Sequence, residues 1–180
     1  SVVEDLEEKV KRLIERIERE NRRLNKDADR LVRELDELNE RLNRAIRRLI
    51  RKAEEARKRD LDEKDKRKTL KEIRDEIEEL KRRAEEDHKR LEEAIKRLVE
   101  EARRANEDLR RKLKELEERA QGVEERELER LKRELEKVLR ESEKNLEDLE
   151  RKLKEVLDRS RENAKRLEDE LREVLERLRK

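Results

Sequence analysis

Apolar residues return along the chain at helical spacing. In the last third they fall at Leu128, Leu131, Leu135, Val138, Leu146, Leu149, Leu153, Val156, Ala164, Leu167, Leu171, Val174 and Leu178, and Leu139, Leu157 and Leu175 widen the stripe. The repeat is 18 residues, not seven. Eighteen residues make five turns at 3.6 residues per turn. A heptad repeat imposes a left-handed supercoil and an 11-residue repeat a right-handed one, and 18 is one of each, so the seam should run straight along a nearly untwisted helix. The same period links Leu6, Leu24 and Leu42, then Leu13, Leu31 and Leu49, and Ile14, Val32 and Ile50. In the middle third it links Leu80, Leu98 and Leu116, Ala84, Ala102 and Ala120, and Ile77, Ile95 and Leu113.

Three segments sharing one period predict an all-α fold, a single antiparallel up-down-up three-helix bundle over 1–180, with helices over about 2–59, 63–120 and 124–179. Each would hold roughly 57 residues and run about 85 Å. Ser1 and Glu4 have the spacing of a capping box. Arg59 to Asp62 reads as the first turn, with Asp62 as the N-cap of the second helix. Gly122 stands where a left-handed C-terminal residue belongs, and Glu124, Glu125 and Glu127 open the third helix. The stretch 57–69 is almost without core residues and is either a longer loop or a hairpin tip above the core, the tip being favoured.

Polar residues interrupt the stripes in register. Asn21 and Asn39 are 18 apart, as are Asn25 and Asn43, His88 and Asn106, Ser142 and Ser160, and Asn145 and Asn163. In an antiparallel hairpin, facing positions share a constant sum of residue numbers. Asn21 with Asn106 and Asn39 with His88 have the same sum, centred on the first turn; Asn106 with Ser142 and His88 with Ser160 share another, centred beside Gly122. Two polar layers are therefore expected. One holds Asn21, Asn106 and Ser142 with Asn25 and Asn145 adjacent. The other holds Asn39, His88 and Ser160 with Asn43 and Asn163 adjacent. By the same sums Ala102 and Ala84 lie opposite Asn25 and Asn43 and leave them room. A buried amide or hydroxyl left unpaired costs on the order of 1–3 kcal/mol, so a slipped register that sets these groups against Leu is penalised. The layers read as devices for register and pairing. His88 should be neutral when packed, because desolvation disfavours its charged form.

Sharper chemistry finds little support. Ser160, His88 and Asn39 resemble a nucleophile, base and orienting residue in type, but no oxyanion hole, cleft or loop is evident. His88 is the single His and there is no Cys, so no metal set or other cofactor site is expected. Charged residues make up 62% of the chain yet the net charge is +2, with both signs interspersed and no aromatic residue to stack on bases; this argues against nucleic acid. The Arg-rich stretch 41–59 reads as a solvated face with cations near a helix end. No apolar run is long enough for a membrane span and no signal peptide is visible. No small-molecule ligand is expected, and the compartment is undetermined.

The 18-residue layers, the three capped helices of equal length, the Glu/Lys/Arg surface and the Asn/Ser/His core positions together resemble computationally designed, parametrically generated helical bundles with buried hydrogen-bond networks. The absence of aromatic, Pro, Met and Cys residues fits that resemblance; a natural domain of this length would carry on the order of a dozen aromatics. The resemblance implies a synthetic, recombinantly made scaffold with high stability, no natural partner, no cofactor and no enzymatic activity. Two alternatives stand beside it: a natural spacer such as a spectrin-like three-helix repeat, and a component of a homo-oligomer packing through Leu139, Leu157, Leu175, Ile14, Val32, Ile46, Ile50 and Val99. A monomer is the favoured state, because core-facing helices in a bundle carry apolar residues at about three of every seven positions.

Overall fold

A computed structural model of the chain describes residues 2–120 and 124–179. The protein is an all-α bundle of three long helices: α1, Val2–Lys58, α2, Glu63–Arg119, and α3, Glu125–Arg179. Each ends within one residue of the sequence expectation. Ser1 and Gly122, expected as caps, lie outside the described residues. Acidic residues occupy the first turn of each helix and basic residues the last, which favours the helical state by countering the terminal partial charges.

The connection between α1 and α2 is a tight tip rather than a longer loop. The Arg59 amide still donates to the Glu55 carbonyl at 3.2 Å, and Asp60 then takes a left-handed φ of 51°. That geometry ends α1 one residue before the expected Arg59. Aspartate is one of the few non-glycine residues that tolerates this region. Asp62 caps α2: its Oδ1 accepts from the Asp65 amide at 2.8 Å, and its carbonyl accepts from Lys66. Leu61, at the tip, packs against a cluster of Ala53, Ala56, Ile73 and Leu178. At the start of α3 the Glu124 carbonyl accepts from both Glu127 and Leu128.

The chain packs into two compact units, each built from one stretch of every helix. The first comprises 1–30 and 94–153, the second 31–93 and 154–180. In the first unit, Glu7 pairs with Arg130 and Asp29 with Lys152, both 123 residues apart. A constant difference means α1 and α3 run parallel there. Arg110 pairs with Glu143 and Arg103 with Glu150, so α2 numbers fall as α3 numbers rise, and α2 is antiparallel to α3. In the second unit, Asn39 bonds Ser160 across 121 residues and Asn43 bonds Asn163 across 120, while Glu92 pairs with Arg161 and Lys81 with Glu168. The up-down-up arrangement therefore holds within each unit.

Burial follows the repeat. Val10, Ala28 and Ile46 are all buried, as are Ile17, Leu35 and Ala53 on α1, Ile73, Leu91 and Leu109 on α2, and Leu135, Leu153 and Leu171 on α3. Of the positions that could have formed a sticky outer face, Leu157 and Ile46 are buried and the other six are half-buried. Val2 is the large apolar residue exposed among the described ones.

Candidate functional site

Two clusters of buried polar side chains sit among these apolar layers, one in each unit. Ser142 and Ser160 project inward from α3 and are 4% and 0% exposed; Asn106 and His88 project from α2 and are 8% and 6% exposed. Asn21 and Asn39 of α1 are half-buried. Amphipathic periodicity explains their placement: each stands where the helix turns its apolar stripe inward, so the side chain enters the core whatever its polarity.

In the first unit the Ser142 hydroxyl lies 2.6 Å from Asn106 Oδ1 and 3.2 Å from Asn21 Oδ1. A hydroxyl has one proton to donate, so it cannot serve two carbonyl oxygens at once. The 2.6 Å contact suits O–H···O and the 3.2 Å contact suits N–H···O. The self-consistent arrangement has Ser142 donating to Asn106 Oδ1, and the Asn21 amide turned so that its NH₂ donates to Ser142 Oγ.

The second unit has the same construction with an imidazole in place of one amide. His88 Nδ1 lies 2.8 Å from the Ala84 carbonyl, and Nε2 lies 2.7 Å from Ser160 Oγ. A carbonyl only accepts, so Nδ1 carries a proton. In a neutral ring Nε2 is then the acceptor and Ser160 donates to it. Asn39, 2.9 Å from Ser160 Oγ, must again present its NH₂. Protonating the ring would reverse the chain, with Nε2 donating to Ser160 and Ser160 donating to Asn39 Oδ1.

The adjacent asparagines behave differently in the two units. Asn163 Nδ2 donates to Asn43 Oδ1 at 3.3 Å, and its Oδ1 accepts from Arg166 at 2.9 Å. Asn25 and Asn145 are half-buried and form no such pair among the described residues. Amides that keep contact with water lose less by standing apart. Among the described residues no buried side-chain nitrogen or oxygen lacks a partner.

No group of three or more His, Asp or Glu among the described residues is placed to hold a metal, and no helix there is long and apolar enough to cross a membrane. No family model matches the chain. No curated protein matches it either. Among solved structures it is similar to a computationally designed three helix bundle, at 18% sequence identity and a TM-score of 0.44, over 98% of this chain and 88% of that one.

Sequence reasoning missed the charged rails that flank the layers. Arg110 joins Glu143, Arg103 joins Glu150 and Arg161 joins Glu92 across the α2–α3 seam. Next to the first layer, Arg23 bonds Glu20, Asp27 and Glu101. The Arg23 hydrogen bond holds the Glu20 carboxyl below the ordinary carboxylate range, with partial burial opposing it. Alternation of Arg and Glu at helix-edge spacing was visible in the sequence, but choosing a partner among so many acids requires the helix rotation.

Proposed function

We propose that the chain is a designed structural scaffold, a single three-helix bundle over 1–180, in which the two polar layers set helix register and pairing. The observation that carries this reading is the shared construction of the layers. In each unit an α3 serine sits between an α1 asparagine and an α2 side chain, and the α1–α3 offset is 121 residues in both. A slip of one 18-residue repeat would keep Leu against Leu and, in one direction, bring Asn21 opposite His88, but it would set Asn39 against Leu70 and strand a polar group that has a partner now, so the layers penalise that slip without fully excluding it. The composition supports an origin in design. The half-buried state of the outer apolar positions supports a monomer.

The reading is tested by replacing Asn21 and Asn106 with Leu and Ser142 with Ala together, so that no member of the layer is left without its partners. Removing the whole layer exchanges hydrogen bonds for apolar burial, so stability holds or rises. Register specificity falls, and light scattering coupled to size exclusion should reveal species other than the parent. A variant that keeps one species and one set of amide resonances would show that the layer does not specify pairing. The single-domain reading predicts that amides in both units lose protection in one denaturant transition; two separate transitions would refute it.

A further inference from the structure

We propose that the cavity beside His88 is a binding site for a small amphiphilic anion of the alkyl carboxylate class, with its chain in the cavity and its head at Lys89 and Lys165. The cavity has a volume of about 590 Å³ and lies wholly within the second unit. That size falls in the range of small-molecule sites, roughly 300–1,000 Å³. Its walls include Leu42 and Ile46 of α1, Ile77 and Leu80 of α2 and Leu171 of α3. Ala84 and Ala164 also line it.

The cause of the cavity is legible in the repeat. Positions 128 and 146 on α3 carry Leu, and position 164, the next member of the series, carries Ala. On α2 the series Ala84, Ala102 and Ala120 is small throughout. Two small side chains therefore line one space in the second unit, and a Leu at 164 would fill part of it. Space bounded by aliphatic side chains repels water and takes apolar guests. His88 closes one part of the wall, and both its ring nitrogens are already engaged by Ala84 and Ser160. It offers a guest only its carbon edge, so no proton transfer is involved.

Charge selects the head group. Of the acids and bases on the rim, Lys81 is paired with Glu168 and Arg161 with Glu92. Lys89 and Lys165 also line the cavity, and neither makes an ion pair among the described residues. Glu85 is the other rim acid, and it too makes no ion pair there. Two uncommitted cations against one carboxylate favour an anion at the mouth. An apolar floor under a rim of four cations and three carboxylates, with Lys89 and Lys165 unpaired among the described residues, is complementary to a medium-chain carboxylate.

The test is a titration of the full chain with sodium decanoate below its micellar concentration, followed through the methyl resonances of Leu, Ile and Ala. Saturable shifts confined to residues such as Ile77, Leu80, Ala164 and Leu171 are expected. Octanoate, two methylenes shorter, should bind roughly tenfold more weakly. Decyltrimethylammonium should bind more weakly than decanoate. Ala164→Leu, which restores the residue of the repeat, should weaken binding by filling part of the cavity. Because that variant could overpack, Lys89→Glu with Lys165→Glu, both exposed, gives a second test and should weaken decanoate while leaving helicity intact. Shifts that do not saturate or that spread along the chain would overturn the site. Undiminished binding to folded Ala164→Leu would do the same. Cationic amphiphile binding as tight as decanoate, or indifference to the lysine pair, would overturn the anion assignment.

Discussion

Ser160→Ala probes the second polar layer at its most enclosed point. The Ser160 side chain is 0% exposed and lies 2.7 Å from His88 Nε2 and 2.9 Å from Asn39. Deleting one oxygen orphans both neighbours. His88 is 6% exposed, so water cannot readily replace the lost donor, and the stranded Nε2 should cost about 1–3 kcal/mol. Asn39 is half-buried and can turn toward solvent, so its share is smaller. The alanine leaves a void of one oxygen atom, a minor addition. The expected loss is about 2 kcal/mol, equivalent to a fall of about 4–8 °C in melting temperature for a chain of this size. With no aromatic residue in the chain, unfolding is followed by far-UV circular dichroism, and the shift in guanidinium midpoint at constant slope gives the free-energy difference. Ser160→Ala in a His88→Leu background separates the hydrogen bond from the void, because no imidazole remains to be orphaned. The loss should there fall to well under about 1 kcal/mol. A single variant as stable as the parent would refute the reasoning, as would an equal loss in both backgrounds.

Further outcomes follow from the same geometry. Nitrogen-15 spectra of neutral His88 should show a protonated Nδ1 and a bare Nε2, because Nδ1 faces the Ala84 carbonyl; the opposite tautomer would mean the Ser160 contact runs the other way. Asp60→Gly should stabilise by about 0.5 kcal/mol, since glycine adopts the φ of 51° without a Cβ clash but loses more chain entropy on folding. Asp62→Ala should cost about 1 kcal/mol through loss of the 2.8 Å cap to Asp65. Arg23→Gln should raise the Glu20 pKa toward the ordinary value, read from carboxyl carbon-13 shifts, because the Arg23 hydrogen bond is what lowers it. A carboxyl lowered in the folded state adds stability above its unfolded pKa and loses it as pH falls through the folded value. The variant should therefore lose a little stability at neutral pH and lose less further stability on acidification, a small effect because the side chains are 45% and 36% exposed.

The sequence by itself determined the three helices and, to within one residue, the ends of α1, α2 and α3. Spacing of apolar residues fixes which face of a helix is buried, because leaving a stripe of Leu in water is far costlier than any local alternative. A strict repeat therefore carries the buried positions of α1, α2 and α3. The tip at Asp60 and the cap at Asp62 follow from local chemistry. Constant sums brought Asn21, Asn106 and Ser142 together, and Asn39, His88 and Ser160, because antiparallel neighbours leave no other arithmetic. Only the tertiary structure decided the rest. Hydrogen bonding depends on tenths of an ångström and on rotamers, so Asn43 meets Asn163 while Asn25 and Asn145, at the same place in the repeat, form no pair. Position 164 was visible as one more small apolar residue, but an Ala becomes a cavity only when the side chains around it fail to close the gap. That Lys89 and Lys165 make no ion pair among the described residues is likewise a matter of side-chain placement, which periodicity leaves undetermined.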